Sequence, residues 1–331
     1  MRASAEQLAS AVQALLKQSE LSPEDTDKRF EQAFDVDRWR RLVPFASIGR
    51  DGLGDDNPAR LSDVDSAREK RRLDCEGYFR LPQVFDPALI ARMRRIVEAV
   101  RADGWPVAFA FVFDEFWSIA RSPQVASFLE SAVGEGYQQN TVVWAHWVAG
   151  ERRVAGWSLH DDYREGGDAF LSAWIPLSDA TVENGCMFLL PTGVSRGISD
   201  AIDTDTPLSP RVVRAALQDV IALPAAAGAM IGWRGNILHW GGANAGSAEP
   251  RLSLALEFRS RGVRTSKFER PLIDPRAPLP SFRLRLFAIT KALREYIKFE
   301  PLLLRYLPLA ERIFAETSDA SAAVSNTPPA S

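Results

Sequence analysis

The sequence predicts a mainly β fold, a double-stranded β-helix (a cupin-like jelly roll) with helices packed on one face. Three observations indicate this fold. Short apolar or alternating runs bounded by turn residues recur between residues 141 and 259, helical periodicity is concentrated before and after this region, and no internal repeat is visible. The 331 residues, 46% hydrophobic and 25% charged, suffice for one such domain with extensions and are typical of a globular protein.

Residues 1–72 are predicted to form a helical N-terminal extension that ends in a surface loop. Apolar residues at helical spacing indicate a helix over residues 5–18, and Ser22-Pro23 is a typical start for a second helix. Residues 51–72 alternate charges without periodicity, which predicts a long loop. Loops of this length are often functional, so this one is a candidate lid, with an ordinary surface insertion as the alternative.

The β-helix core is predicted to span residues 73–262. A short strand follows Glu76-Gly77, and Asp86-Pro87 begins a helix that ends at Asp103-Gly104. Continuous apolar runs at 107–113 and 141–148 predict two strands buried on both faces. Further strands are predicted at 169–177, 186–190, 220–223, 228–233 and 251–259. Residues 195–219 interrupt them with polar residues and one short helix at 211–217, and they form a second candidate lid.

Residues 263–316 are predicted to be a basic helical C-terminal extension, and residues 317–331 a disordered tail. Ser281 is the expected N-cap of the main helix. Segment 282–314 combines basic side chains with a wide apolar face. Two interpretations remain open: this face lies on anionic lipid as a peripheral membrane contact, or it covers the jelly roll while the bases stay in water.

The composition argues against several classes of protein. Cys75 and Cys186 are the two cysteines and form no CxxC pattern, so neither a disulfide framework nor a zinc–thiolate site is predicted. No apolar run is long enough for a signal peptide or a membrane span, and a cytoplasmic location is expected. The expected partner is a small molecule and not a nucleic acid. The sequence gives no indication of an oligomeric state.

A histidine and a carboxylate two residues apart form the first chemical motif. In Trp157-Ser158-Leu159-His160-Asp161-Asp162, the side chains of His160 and Asp162 point to one side of an extended segment. His239 is the natural third ligand, because turn residues surround it and the chain has only three histidines. Two histidines and one carboxylate on one face of a metal leave the opposite positions open, as in non-haem Fe(II) oxygenases. The alternative is a solvated acidic turn beside an unrelated histidine, and Asp161 competes with Asp162 for the ligand role.

The strand after His239 carries a second motif. In the alternating stretch 251–258, Arg251 and Ser253 share one face, and an arginine with a neighbouring hydroxyl is suited to hold a carboxylate. A dicarboxylate would then bind iron with one end and Arg251 with the other. The alternative is an arginine on a solvent-facing strand edge. His146 is interpreted either as a hydrogen-bonded core histidine or as a contact to cofactor or substrate.

Taken together, these motifs resemble the phytanoyl-CoA dioxygenase superfamily of Fe(II)- and 2-oxoglutarate-dependent oxygenases. The resemblance implies that His160, Asp162 and His239 hold Fe(II). It also implies that Arg251, assisted by Ser253, binds the carboxylate of 2-oxoglutarate, and that Trp174 lies beside this cosubstrate. The motifs that carry it between Asp74 and Arg259 are Glu76-Gly77-Tyr78-Phe79, the helix after Asp86-Pro87, Leu159-His160-Asp161-Asp162, Ala173-Trp174-Ile175-Pro176-Leu177, Glu183-Asn184-Gly185-Cys186, Gly228-Ala229-Met230, Leu238-His239 and Arg251-Leu252-Ser253.

The resemblance implies a dioxygenase that consumes O2 and 2-oxoglutarate, releases succinate and CO2, and hydroxylates an unactivated C–H bond of a small-molecule or acyl/lipid-type substrate. Relatives that halogenate lack the ligand carboxylate, whereas Asp162 is present, so hydroxylation is expected. One departure is Pro191-Thr192-Gly193-Val194, where relatives often have Pro-Gly-Ser-His; it concerns a loop. The competing prediction is a non-catalytic or oxoglutarate-independent cupin-like metal-binding protein.

Overall fold

The computed structural model describes residues 21–49, 60–150, 156–163, 166–203, 209–264, 269–297 and 299–325. The helix expected over residues 5–18 lies outside them. The α-helices, in chain order, are α1 Pro23–Phe34, α2 Val36–Leu42, α3 Asp63–Glu76, α4 Pro87–Ala102, α5 Glu115–Ser118, α6 Pro123–Val133, α7 Thr192–Asp203, α8 Pro210–Gln218, α9 Phe282–Tyr296 and α10 Leu307–Ser325. Short 3₁₀ helices occur at Val107–Val112, Ile119–Arg121, Gly167–Ala169 and Pro301–Tyr306.

Two antiparallel sheets form the β structure. The strands are β1 Tyr78–Leu81, β2 Gln138–Val148, β3 Phe170–Pro176, β4 Met187–Leu189, β5 Ile221–Leu223, β6 Met230–Arg234, β7 His239–Gly241, β8 Arg251–Arg259 and β9 Leu272–Ile273. The larger sheet has the order β1-β6-β3-β8-β2-β9, and the smaller has the order β5-β4-β7. This architecture confirms the predicted jelly roll with helices, although more of the described residues are helical than extended.

Strand β8 is central to the larger sheet, where it pairs with β2 on one side and β3 on the other. Its alternation is the predicted one. Leu252, Leu256 and Phe258 are buried in the main hydrophobic core under the helices, because successive side chains of a strand point to opposite faces. Arg251 and Glu257 lie on the other face and line a cavity between the sheets.

The apolar face of α9 packs against β2 and is buried by the protein. Ser281 caps this helix as predicted, with its hydroxyl accepting from the Leu284 amide. Arg285 is buried and forms an ion pair with Asp114 at 2.5 Å, so even basic residues of this helix are within the fold. The described part of the C-terminal segment therefore agrees with the interpretation in which it covers the jelly roll. None of the described helices is long and apolar enough to cross a bilayer.

The strand predicted at 107–113 is wrong, because residues Val107–Val112 form a 3₁₀ helix. This segment is buried on all sides, so its continuous apolar run carries no periodicity that separates a strand from a buried helix. Pro106 stands at its N-cap, and Phe109 stacks on Trp39 of α2, with ring centroids 5.8 Å apart. The segment belongs to the helical layer and not to the sheet.

The surface loop predicted over residues 51–72 is wrong from residue 63 onward, where α3 begins. Residues 51–59 lie outside the described ranges. Ser62 caps α3 by accepting a hydrogen bond from the Asp65 amide. The helix has few apolar residues, so its sequence shows no clear helical periodicity. Its anchor is Glu69, a buried carboxylate that accepts the Arg80 amide of β1 at 2.8 Å. A lid formed by residues 63–72 is therefore not supported.

Two further predictions need correction. The strand that ends near Leu190 leads directly into α7, so residues 192–203 are helical, whereas only the helix at 211–217 was predicted in this region; α8 confirms the latter. The tail predicted to be disordered from residue 317 is helical up to Ser325, because α10 continues through a stretch that contains several good helix formers. Residues 326–331 lie outside the described part of the chain.

Candidate active site

The backbone brings the two predicted histidine ligands together. His160 and His239 form an isolated antiparallel bridge: the His160 amide donates to the His239 carbonyl at 3.1 Å, and the reverse bond is 2.9 Å long. Their ring centroids are 4.3 Å apart. The Asp162 amide donates to the Gly235 carbonyl at 3.0 Å, which fixes the carboxylate beside both rings.

The donor atoms of His160, Asp162 and His239 all lie within 4.8 Å of one another. Asp162 Oδ1 is 3.8 Å from His160 Nε2 and 3.7 Å from His239 Nε2. The Nδ1 atoms are held by backbone carbonyls, that of Ser158 at 2.7 Å and that of Ile237 at 2.9 Å. A carbonyl accepts a hydrogen bond from Nδ1–H, so in each histidine the Nε2 atom is unprotonated and its lone pair is available to a metal. The nitrogen and oxygen donors fit Fe(II) bound by two histidines and one carboxylate.

The second oxygen of Asp162 is already bound within the protein. Oδ2 accepts from Ser172 Oγ at 2.5 Å and from Trp233 Nε1 at 3.1 Å, which leaves Oδ1 for a metal. Burial favours the neutral acid, but the charges of His239 and His160 and these two hydrogen bonds lower the pKa of Asp162 below its usual value. Burial also lowers the pKa of His239, although Asp162 opposes this effect. A charged carboxylate and a neutral imidazole are the forms that bind a metal.

Asp161 does not join this cluster. Its Oδ2 atom accepts from Ser199 Oγ of α7 at 3.3 Å, whereas the donors that come within 4.8 Å of one another include Asp162. The expectation from side-chain alternation, which favours Asp162 over Asp161, agrees with this geometry.

Arg251 is buried beside the metal cluster, with a side chain suited to a carboxylate. It is 1% exposed, and within the described residues its Nε atom has no hydrogen-bond partner. The hydroxyl of Ser253, on the same strand face, is likewise buried without a partner. Burial lowers the pKa of Arg251 to about 10. An unsatisfied buried cation and hydroxyl are costly unless a ligand pairs with them, so this pair fits the distal carboxylate of 2-oxoglutarate.

Trp174 and His146 both contact the Arg251 guanidinium. The Arg251 carbon Cζ lies 5.6 Å from the centroid of the Trp174 ring. His146 Nδ1 lies 3.2 Å from Arg251 Nη2, and its Nε2 lies 3.1 Å from Glu300 Oε1. His146 therefore links the arginine to a carboxylate on the C-terminal side of α9.

These groups open onto one cavity of about 920 Å³ that lies between the two sheets. Its wall also includes aromatic residues that the sequence did not reveal as site residues. Phe299 stacks on Trp157, with centroids 4.9 Å apart and an interplanar angle of 14°, and Tyr296 stacks on Trp144 at 4.3 Å and 29°. Tyr296 belongs to the apolar stripe of α9, whose spacing is equally typical of packing, so no local signal marked it as a site residue.

Glu257 is the other residue that was missed. It shares the cavity face of β8 with Arg251 and Ser253, and it pairs in register with Ser172. Burial, followed by the charge of Asp162, raises the pKa of Glu257 to about 7. Strand parity was the available signal, because positions 251, 253 and 257 must face the same side of a regular strand.

A protein-family model covers the part of the chain that carries His160, Asp162, His239 and Arg251. The sequence model described as "Phytanoyl-CoA dioxygenase (PhyH)" matches residues 73–253, more than half of the chain. A search of curated proteins gave no match.

Solved structures similar to the chain include SnoN, EctD and HygX. SnoN, titled a non-heme alpha ketoglutarate dependent epimerase from nogalamycin biosynthesis, is 20% identical, with 60% of this chain and 84% of SnoN covered and a TM-score of 0.48. EctD from S. alaskensis with bound Fe is 17% identical, with 64% and 85% covered and a TM-score of 0.49. HygX from Streptomyces hygroscopicus, with nickel and 2-oxoglutarate bound, is 13% identical, with 64% and 90% covered and a TM-score of 0.48.

Proposed function

Because the chain belongs to the phytanoyl-CoA dioxygenase (PhyH) family, a family of non-haem Fe(II)- and 2-oxoglutarate-dependent oxygenases, we propose that it hydroxylates an unactivated C–H bond of a small molecule. One observation carries the proposal. A two-histidine, one-carboxylate cluster and a buried arginine without a carboxylate partner among its described contacts line the same cavity. Each would be unfavourable without a ligand, and together they suit a metal and a dicarboxylate.

In this proposal, His160, Asp162 and His239 are the Fe(II) ligands, and the carbonyls behind Nδ1 of each histidine keep Nε2 directed at the metal. When bound there, Fe(II) would activate O2, the oxidant, with two of the electrons coming from the oxidative decarboxylation of 2-oxoglutarate to succinate and CO2. The three protein ligands lie on one side, which leaves room on the cavity side for cosubstrates.

Arg251 and Ser253 bind the distal carboxylate of 2-oxoglutarate. The guanidinium fork offers paired donors, and burial strengthens each charge-assisted hydrogen bond. Trp174 limits the movement of the guanidinium, and His146 holds one of its terminal nitrogens. The cosubstrate is thereby oriented by residues of β2, β3 and β8 before substrate binds.

The ligand carboxylate supports hydroxylation over halogenation. Asp162 Oδ1 would occupy the metal position that a halide needs, and the hydrogen bonds from Ser172 and Trp233 to Oδ2 hold the side chain in place. A halogenating site would need this position free. The small-molecule or acyl/lipid-type range predicted for the substrate is unchanged by this consideration.

The test is anaerobic addition of Fe(II) and then 2-oxoglutarate to the purified protein. A weak visible charge-transfer band is expected when the cosubstrate chelates the metal. Arg251→Ala should weaken 2-oxoglutarate binding by about 100-fold while the affinity for Fe(II) changes little, because the guanidinium contacts no metal ligand. A fully metallated protein without the band would contradict the proposal and favour the non-catalytic or oxoglutarate-independent cupin-like alternative.

The substrate is then sought by succinate release over a panel of compounds, and hydroxylation is scored as the gain of one oxygen atom by mass spectrometry. Formation of an alkene, a ring or an epimer would keep the oxygenase assignment and refute the hydroxylation.

Cytoplasmic location and peripheral membrane contact through 282–314 stay predictions. Co-sedimentation of the full-length protein with anionic and with neutral liposomes tests the contact. Equal and low binding to both would remove it, since an interfacial basic helix prefers anionic lipid.

A further inference from the structure

Resting on the proposed function, we infer the chemical class of the substrate: it carries a protonated amine, which Glu257 binds, on a body that packs against the aromatic wall of the cavity. This class differs from an acyl-CoA or a fatty acid, whose polar groups are anionic. Glu257 lies on β8, opposite Ser172, whose hydroxyl holds the Asp162 carboxylate. An ammonium at Glu257 is therefore held near the metal cluster.

The carboxylate of Glu257 is fixed by only one of its oxygens. Oε2 accepts from Asn140 Nδ2 at 3.0 Å and from Tyr163 Oη at 2.9 Å. Oε1 forms no hydrogen bond with any described residue, and Glu257 lines the cavity. One oxygen of this carboxylate is held by the protein, and the other can still accept a hydrogen bond. Such a carboxylate is suited to accept a hydrogen bond from a ligand N–H.

No lysine or arginine in the described ranges takes this free position. Lys291 is the basic group that acts on Glu257 at longer range. Its Nζ atom instead donates to Thr141 Oγ1 at 2.7 Å and to the Arg270 carbonyl at 3.3 Å. The charge of Lys291 therefore offsets part of the charge of Glu257 without a hydrogen bond to Oε1, and Lys291 does not line the cavity.

The charge of the cavity wall favours a cation. Among the described residues that line the cavity, and beyond the metal cluster, Arg251 and His146, the charged side chains are one base, Arg264, and four acids, namely Asp161, Glu257, Glu269 and Glu295. Glu269 is paired with Arg259 at 2.6 Å. Acids therefore outnumber bases in the described part of the wall, which disfavours the phosphates of a coenzyme A ester and favours an ammonium.

The aromatic walls suit the same ligand. The rings of Trp157 and Phe299, and those of Trp144 and Tyr296, form two stacked pairs on one side of the cavity. Tyr163 and Phe170 stack at 3.8 Å and 7° near Glu257. Aromatic faces stabilise cations within about 6 Å of the ring centroid and also pack against flat apolar groups. A cavity with one free carboxylate oxygen and ring faces is thus complementary to an amine on an aromatic or aliphatic body.

The inference is tested with three probes that share one indole body and differ in the charge of the side chain: tryptamine (cationic), tryptophol (neutral) and indole-3-propionate (anionic). Calorimetric titrations use the anaerobic Fe(II) protein saturated with 2-oxoglutarate, so that the anionic probe cannot occupy the Arg251 site. Tryptamine is expected to bind at least about tenfold more tightly than tryptophol, and indole-3-propionate most weakly.

The decisive variant is Glu257→Gln, which keeps the size of the side chain and an oxygen for Asn140 and Tyr163. It should reduce the preference for tryptamine over tryptophol to within about twofold. Glu249→Gln, an exposed carboxylate outside the cavity wall, is the matched control and should keep the wild-type preference. The wild-type series is informative even if Glu257→Gln is unstable.

Equal binding of tryptamine and tryptophol, absence of binding by all three probes at millimolar concentration, or a preference for tryptamine that survives Glu257→Gln would each overturn the inference. A wrong proposed function gives a different result: the visible band of the Fe(II)–2-oxoglutarate complex would be missing before any probe is added. A protein that shows the band but lacks the cation preference refutes only the substrate class.

Discussion

Removal of the Ser172 hydroxyl tests how the protein controls its proposed metal site. Ser172 Oγ donates to Asp162 Oδ2 at 2.5 Å, and Trp233 Nε1 donates to the same oxygen at 3.1 Å. Ser172→Ala removes the shorter bond and leaves Trp233 as the only one of these donors. The carboxylate then rotates more freely, and Oδ1 is less well directed at the metal.

The size of the effect follows from the bond that is lost. Hydrogen bonds to charged groups contribute about 1.5–3 kcal/mol, and loss of such partners of metal ligands typically lowers metal affinity about 10- to 100-fold. Because Trp233 remains, we expect a decrease of about tenfold, which corresponds to about 1.4 kcal/mol. The affinity is measured by titration with Mn(II), with the free ion followed by electron paramagnetic resonance.

Ser253→Ala is the matched control, since it removes a buried hydroxyl from the neighbouring strand that makes no bond to Asp162. It should weaken 2-oxoglutarate binding and leave Mn(II) affinity unchanged. The reasoning is refuted if Ser172→Ala binds Mn(II) as tightly as the wild type, or if both variants lose metal affinity to the same extent. Thermal unfolding of each variant excludes a general loss of structure as the cause.

Three other predictions follow from the described contacts. Glu300→Gln should weaken 2-oxoglutarate binding by about three- to tenfold without altering metal affinity, because the Glu300 carboxylate lies 3.1 Å from His146 and its charge attracts the ring that holds the guanidinium of Arg251. Unchanged cosubstrate affinity would show that Glu300 does not position this pair. Burial lowers the pKa of Lys291 from 10.5 to about 8, so the unfolded chain binds more protons between these two pH values and the free energy of unfolding should rise with pH there, by up to about 3 kcal/mol. Urea unfolding of Lys291→Met across the same window should lack this rise, and parallel curves for the two proteins would disprove the assignment. Gly185 has a φ of +90°, and a Cβ atom there would lie 2.3 Å from the Gly242 carbonyl oxygen; Gly185→Ala should therefore lower the free energy of unfolding by about 2 kcal/mol or more in urea unfolding experiments, whereas Gly193→Ala, with open space around it, should not destabilise the protein, and equal effects would refute the steric explanation.

Site residues could be predicted from the sequence where the local backbone conformation fixes the direction of the side chains. Residues two apart on an extended segment point the same way, which brought His160 together with Asp162 and Arg251 with Ser253. The same alternation along β8 places Glu257 on the face of Arg251 and Ser253, so it also identifies Glu257 as a site residue. The meeting of His160 and His239 depends on an isolated bridge between distant segments, which a single sequence does not encode in any local pattern.

Secondary structure could be predicted from the sequence where polar and apolar residues alternate, and it could not be predicted where they do not. Residues 251–258 alternate strictly and form a strand as predicted, whereas residues 107–112 are apolar throughout and helical, because full burial removes the polar face that reveals the period. Helix α3 was not predicted for the opposite reason, because its sequence is mostly polar. It has few apolar residues and is held by a cap and by the buried Glu69, so its periodicity is nearly absent.

The position of Tyr296 and Phe299 in the cavity wall has a consequence for biosynthesis. All proposed metal and 2-oxoglutarate contacts precede residue 254, whereas Tyr296 and Phe299 follow it, so on the ribosome these two rings emerge after the contacts. Until Tyr296 packs on Trp144 and Phe299 packs on Trp157, the cavity that holds the metal donors lacks these two aromatic contacts. A chain that stops short of residue 296 would lack both rings, and this side of the cavity would be more open to solvent.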